Sequence, residues 1–265
     1  MASTLATISS DRIDQKFVFL ASSGRKALVC YATAGHPDVA RSIDLLRGLE
    51  DAGADIVEVG VPFSDPIADG PVIQASSQRA IEQGMNLDRV LDLVSRASLG
   101  IPVVLFTYLN PLLSGGTDVL ERSRNAGCDG ILVTDLPVGA DAERESWLGS
   151  SGLAFIRLVA PTTPVERMRE VGLNGSGFVY LISRLGVTGT RSDMPPDIEQ
   201  TASRLRAATS LPICVGFGIS SPAQAKAVAG VADGVVVGSA IVRAADADIG
   251  HAISLARALR AALDS

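Results

Sequence analysis

Aromatic side chains, lysine, histidine and cysteine are all scarce in this sequence, and each scarcity narrows what the chain can do. Aromatic residues are only 4% of it, so any large core must be built from Val, Ile, Leu and Ala. Lysine occurs only as Lys16, Lys26 and Lys226. Lys26 stands at or before the first apolar run, and the other two fall in helix-like stretches. None is expected at the C-terminal end of a strand, which disfavours covalent imine chemistry. The two histidines, His36 and His251, are far apart and accompany no ligand-spaced cluster, so no metal centre is expected. Cys30, Cys128 and Cys214 are odd in number, scattered and set among apolar residues. They are expected to be buried free thiols in a reducing compartment.

Long apolar runs are also missing, so no transmembrane helix is expected. The first ten residues carry neither basic charge nor an apolar segment, so a secretory signal is not expected and the cytoplasm is the expected location. The net charge of -6 argues against a nucleic-acid surface, which needs clustered Lys and Arg. It leaves room for a small phosphorylated ligand, because backbone N–H groups can hold phosphate without side-chain charge. No nucleotide fingerprint is present, and no cofactor is expected in this chain.

What is abundant is a repeating unit: a short β-branched run, a loop rich in Gly, Pro and Asp, then an amphipathic helix. Eight runs read as buried parallel strands, near 27–33, 55–60, 102–107, 130–134, 154–159, 177–181, 212–215 and 234–237. Helical stretches are expected at 38–52, 87–97, 118–126, 141–148, 165–171, 197–208, 222–229 and 251–263. An extra helix at 13–22 should cap one end of the fold. No linker interrupts the pattern, so residues 1–265 read as one domain, with 1–11 a flexible N-terminus. Strict alternation implies right-handed crossovers, and the count of eight favours a closed (β/α)8 TIM barrel over an open sheet. Chemistry is then expected at the C-terminal ends of the strands.

Two acids stand there. In Asp55-Ile56-Val57-Glu58-Val59-Gly60, alternation puts Ile56 and Glu58 on one face and the valines on the other. Glu58 then points into the barrel mouth, where a lone carboxylate is costly unless it is paired or used. A purely structural carboxylate is the alternative. The next loop carries Asp65 and Asp69. Asp65 suits a turn. Asp69 precedes Gly70-Pro71, a good helix start, so spacing alone leaves capping and catalysis equally open.

Gly216-Phe217-Gly218-Ile219-Ser220 follows the seventh strand, and Gly238-Ser239-Ala240 follows the eighth. Barrel phosphate sites often use these two loops and the start of a short helix. The sixth-strand loop, 183–191, is long, polar and flanked by glycine, and reads as a mobile lid. Tyr180 is either core filler or a site residue.

From Glu58 to Gln74 the sequence resembles the second barrel loop of tryptophan synthase α subunits. The likeness runs from Arg12 to Val242. It includes Tyr31-Ala32-Thr33-Ala34-Gly35, Tyr108-Leu109-Asn110-Pro111, Thr134-Asp135-Leu136-Pro137 and Gly186-Val187-Thr188-Gly189. The resemblance implies retro-aldol cleavage of indole-3-glycerol phosphate to indole and glyceraldehyde-3-phosphate. It makes Glu58 the acid–base group and Asp69 the acceptor for the indole N–H. It also implies phosphate contacts from Gly189, Gly218, Gly238 and Ser239. Tyr31, Tyr180 and Phe217 would lie at the substrate, and Thr188 would help position the aspartate. A β subunit carrying pyridoxal phosphate, in an αββα assembly, is the implied partner. The loops 62–69 and 135–141 are its expected docking surface. Two positions depart from the family pattern: His36 stands where aspartate is common, and the paired acids often found after the Pro-Val at Pro137-Val138 are absent. A free-standing indole-releasing lyase, another phosphosugar barrel enzyme and a non-catalytic activating barrel remain the alternatives.

Overall fold

The computed structural model describes residues 10–182, 196–216 and 218–265. Its elements run α1 (Ser10–Ser22), β1 (Ala27–Thr33), α2 (Val39–Asp51), β2 (Ile56–Gly60), α3 (Pro71–Glu82), α4 (Leu87–Ala97), β3 (Val103–Thr107), α5 (Leu109–Ser114), α6 (Val119–Asn125) and β4 (Gly130–Val133). They continue with α7 (Ala142–Gly149), β5 (Ala154–Val159), α8 (Val165–Leu173), β6 (Val179–Ile182), α9 (Pro196–Arg206), β7 (Ile213–Gly216), α10 (Pro222–Ala229), β8 (Gly234–Val237), α11 (Ser239–Ala247) and α12 (Ile249–Leu263). The strands pair in sequence order, all parallel, and β8 returns to β1 to close the barrel. The expected (β/α)8 architecture is therefore the observed one. The first helix, α1, begins at Ser10.

Each strand has two buried faces, which is why its sequence is a nearly continuous apolar run. Val29, Ile56, Val104, Leu132 and Ile156 fill the barrel interior. Val57, Val59, Leu105 and Ile131 pack outward against Leu46, Leu49, Val90 and Leu93 of the helices. Cys30 and Cys128 lie in this outer layer and Cys214 in the interior; all three are free and buried. Burial pushes the Cys30 and Cys128 thiols up to about 12, which suits inert thiols. Ile13, Phe17 and Leu20 of α1 join the interior cluster, so this helix does cover one end of the barrel.

That end is stitched by a repeated polar contact. Asp55, just before β2, accepts the Leu28 N–H of β1 at 2.9 Å. Asp129, just before β4, accepts the Val103 N–H of β3 at 2.9 Å. Ser176 takes the Phe155 N–H of β5 at 2.8 Å, and Asp233 the Ile213 N–H of β7 at 2.8 Å. Buried Asp55 is also ion-paired with Arg260 of α12 at 2.9 Å. A buried charge needs such partners. The N-terminal end of the barrel thus fixes register, and the opposite end is free to carry chemistry.

Candidate active site

At the C-terminal ends of the strands a cavity of about 420 Å³ opens among Tyr31, Glu58, Asp69, Tyr180, Gly218, Gly238 and Ser239. Those residues come from the ends of β1, β2, β6, β7 and β8 and the loops that follow, so the barrel gathers seven expected positions into one place. Thr188, Gly189 and Phe217, with the expected lid at 184–191, lie outside the described residues.

Glu58 is inward-facing, as alternation requires, and only 1% exposed. Its Oε1 is buried without a hydrogen-bond partner among the described residues. Burial raises its pKa to about 8, because the charged form loses its water without gaining a counter-charge. The carboxyl is therefore largely protonated at neutral pH. A buried polar atom left unpaired is costly, and such groups concentrate where a ligand completes the bonding.

Two tyrosines wall this carboxyl in, and two glycines make room for them. A Cβ at Gly60 would fall against the ring and hydroxyl of Tyr31. A Cβ at Gly216 would meet Tyr180 in the same way. Both glycines end their strands on the inward side, so here glycine serves close approach of a side chain. The Tyr31 ring is in turn edge-on to Phe106, with centroids 5.2 Å apart. The apolar walls that desolvate Glu58 are thus also flat surfaces suited to an aromatic ligand.

Asp69 sits in the loop after β2, just before the N-cap of α3. The residue at the N-cap of α3 is Gly70, with no side-chain cap, and Pro71 occupies the first turn. Asp69 therefore does not cap the helix. Its half-buried carboxylate receives a hydrogen bond from the Tyr108 hydroxyl. The same hydroxyl accepts the Ala68 N–H at 2.9 Å. Burial raises the Asp69 pKa to about 6, with the Tyr108 hydrogen bond pulling it the other way. Near neutral pH Asp69 is mostly ionised while Glu58 keeps its proton. Two carboxyls held in opposite states around one cavity could serve one as an acid and the other as a base. Asp65 belongs to the turn, where its side chain accepts the Ser64 hydroxyl at 2.6 Å.

The other side of the cavity suits an anion. Gly218 has φ 89°, a left-handed conformation that favours glycine. Gly238 occupies the N-cap of α11, whose first turn starts at Ser239. The first N–H groups of a helix lack intrahelical partners and carry the positive end of its dipole.

Tyr108, which holds Asp69, and Ser220 and Arg243, which border the cavity, are not singled out as site residues in the sequence. The position of Tyr108, directly after β3, was the available signal. A larger groove of about 760 Å³ lies on the barrel flank between α7 and α8. Its buried Arg157 is already paired with Glu145 at 2.6 Å, leaving no unpaired buried charge there to act. Among the described residues no group of three His, Cys, Asp or Glu is placed to hold a metal ion, and no helix is long and apolar enough to cross a membrane. No lysine borders the cavity; Lys26 is at the far end of the barrel, bonded to the Ala232 carbonyl at 2.8 Å.

The family model for the tryptophan synthase alpha chain matches residues 17–263. The tryptophan synthase alpha chain of Desulfatibacillum aliphaticivorans is 48% identical over 234 residues, covering 87% of this chain and 88% of that one. That of Caulobacter sp. (strain K31) is 45% identical over 239 residues, covering 89% and 87%. Among solved structures, tryptophan synthase subunit alpha from Legionella pneumophila superposes with TM-score 0.87 at 34% identity, covering 96% of this chain and 98% of that one. A Mycobacterium tuberculosis tryptophan synthase gives TM-score 0.88 at 34% identity, over 98% and 99%. With the match running through nearly every strand and helix, this chain belongs to the tryptophan synthase alpha chain family.

Proposed function

We propose that this chain cleaves indole-3-glycerol phosphate to indole and glyceraldehyde-3-phosphate by a retro-aldol step, as a lyase of tryptophan biosynthesis. The observation that carries the reading is the pair Glu58 and Asp69, held in opposite protonation states around one apolar-walled cavity. The indole ring lies between the aromatic walls, its N–H donated to the Asp69 carboxylate. Glu58 begins protonated and gives its proton to indole C3. Positive charge then grows on the ring nitrogen, where Asp69 stabilises it. Glu58, now a carboxylate, takes the proton of the glycerol hydroxyl on the adjoining carbon. The carbon–carbon bond breaks, its electron pair returns to the indole ring, and an aldehyde forms. Glu58 ends the cycle protonated again. Tyr31 and Tyr180 keep water from it. The phosphate rests on the loops carrying Gly218, Gly238 and Ser239, together with Gly189, while Thr188 and Phe217 complete the substrate's surroundings.

The chain works as one domain in the cytoplasm, without a cofactor of its own. Its partner is a β subunit carrying pyridoxal phosphate, in an αββα assembly. Docking on the catalytic face suits an apolar product that must pass directly to a second site. The loop after β2 supports this, since Ile67 is 85% exposed there, two residues from Asp69. The test is indole formation from indole-3-glycerol phosphate, with and without the β subunit. High activity unaffected by the partner would instead identify a free-standing lyase.

A further inference from the structure

The cavity holds two carboxyl groups, yet its proposed substrate carries a phosphate dianion. Backbone N–H groups offer only partial charges to balance it. Among the described residues, one cationic side chain borders the cavity, Arg243. It lies on α11, four residues after Ser239, so the two share a helix face. Side chains of a helix lean toward its N-terminus and cover the preceding turn. A long side chain at position 243 therefore reaches back over the turn that begins at Ser239.

Arg243 is also uncommitted. The acid nearest on its own helix, Asp246, is bonded to Arg79 of α3. Most other arginines are held: Arg260 by Asp55, Arg157 by Glu145, Arg206 by Asp233 and Arg12 by Asp129. Arg243 is exposed and has no ion-pair or hydrogen-bond partner among the described residues. An arginine at a cavity rim with no partner, beside a helix start and two strand-end glycines, is free to pair with a ligand's oxygens in bidentate fashion.

We propose that Arg243 is a substrate-binding residue, supplying the full positive charge that holds the phosphate and selects phosphorylated over unphosphorylated substrates. The proposal rests on the function proposed above, and it adds a side-chain contact to a site otherwise built from backbone N–H groups and one hydroxyl. Arg243 touches no reacting atom, so its loss should appear in KM more than in kcat.

The test uses the purified chain with Arg243→Gln, Arg243→Lys and Arg243→Glu. An exposed ion pair contributes up to about 1 kcal/mol, so KM for indole-3-glycerol phosphate should rise about fivefold in Arg243→Gln, with a smaller change in kcat. Arg243→Lys should recover most of the loss, and Arg243→Glu should exceed Arg243→Gln. Inorganic phosphate, used as a probe independent of catalysis, should raise the melting temperature of the wild type and do so less in the Gln and Glu variants. Unchanged KM and an unchanged phosphate-induced shift in both variants overturn the proposal. A wild type that responds to phosphate but releases no indole refutes the proposed reaction and leaves Arg243 as an anion contact.

Discussion

The Tyr108 hydroxyl joins Asp69 to its own loop: it donates to the Asp69 carboxylate and accepts the Ala68 N–H at 2.9 Å. One side chain at the end of β3 therefore sets both the position of the loop after β2 and the acidity of the carboxylate on it. Phe63 packs against the same ring, with centroids 5.0 Å apart, and fixes its orientation.

Tyr108→Phe should therefore lower kcat/KM near neutral pH by roughly threefold to tenfold, the effect of one lost hydrogen bond to a charged group. The Asp69 pKa, already raised to about 6, loses the interaction that lowers it and moves further up. The acidic limb of the pH–rate profile should shift to higher pH by the same amount. A profile that keeps its acidic limb while only the rate falls would make Tyr108 a packing residue.

The contact between Tyr31 and Gly60 predicts a packing effect with a clear partner. Gly60 has an ordinary strand conformation, so alanine there meets steric rather than backbone resistance. Gly60→Ala should cost about 1–3 kcal/mol of stability, as overpacking does, and raise KM by displacing the Tyr31 ring into the cavity. In a Tyr31→Leu background the same substitution should cost about 1 kcal/mol less, read from chemical denaturation of the four proteins in a double-mutant cycle. Equal costs in both backgrounds would separate the two residues.

These contacts also mark what could be seen in the sequence. The eight strands are legible because β-branched runs such as Val103-Val104-Leu105 have no competing helical period, and each ends in a loop rich in glycine or proline. Glu58 is legible because it is the one acid inside such a run, Arg157 of β5 being the other charge. Other elements were hidden. The start of α3 is visible in Gly70-Pro71, but its body is not, because it buries small residues, Ser76, Ser77 and Ala80. Six-residue α5 contains Pro111 and is too short to show a period. α11 is masked by its overlap with the glycine loop it follows. The link from Tyr108 to Asp69 crosses about 40 positions of sequence, and only the closed barrel brings the ends of β2 and β3 together.

Burial of Glu58 predicts a pH-dependent stability. In the folded chain it holds its proton up to about pH 8, whereas an exposed glutamate loses it near 4.5. Between these values the folded state binds the additional proton, so stability falls as pH rises through the window and levels off above it. Glu58→Gln should flatten that decline and gain on the wild type at pH 9, by on the order of a few kcal/mol relative to the comparison at pH 5. Parallel stability curves for the two proteins across pH 5–9 would contradict a buried, protonated Glu58.

The proposed docking surface predicts a coupling. Ile67 and Asp65 lie on the loop that carries Asp69, and Asp135 holds the Leu109 N–H at 2.8 Å in the loop after β4. A β subunit should raise lyase turnover at least about tenfold, roughly 1.4 kcal/mol of barrier. Asp65→Ala or Pro137→Ala should weaken this activation more than basal cleavage. Loss of basal rate and activation in equal proportion would place these residues in the catalytic framework instead.

In the proposed carbon–carbon cleavage Glu58 moves the proton. Single-turnover indole release from indole-3-glycerol phosphate, followed for the wild type and Glu58→Gln at matched melting temperature, tests it most directly. The wild type should release indole with an equal amount of glyceraldehyde-3-phosphate, and the variant should be slower by at least about 10²-fold, the lower range for a lost acid–base group. Indole release by Glu58→Gln at the wild-type rate, or no release by the wild type with its β subunit present, would contradict the mechanism.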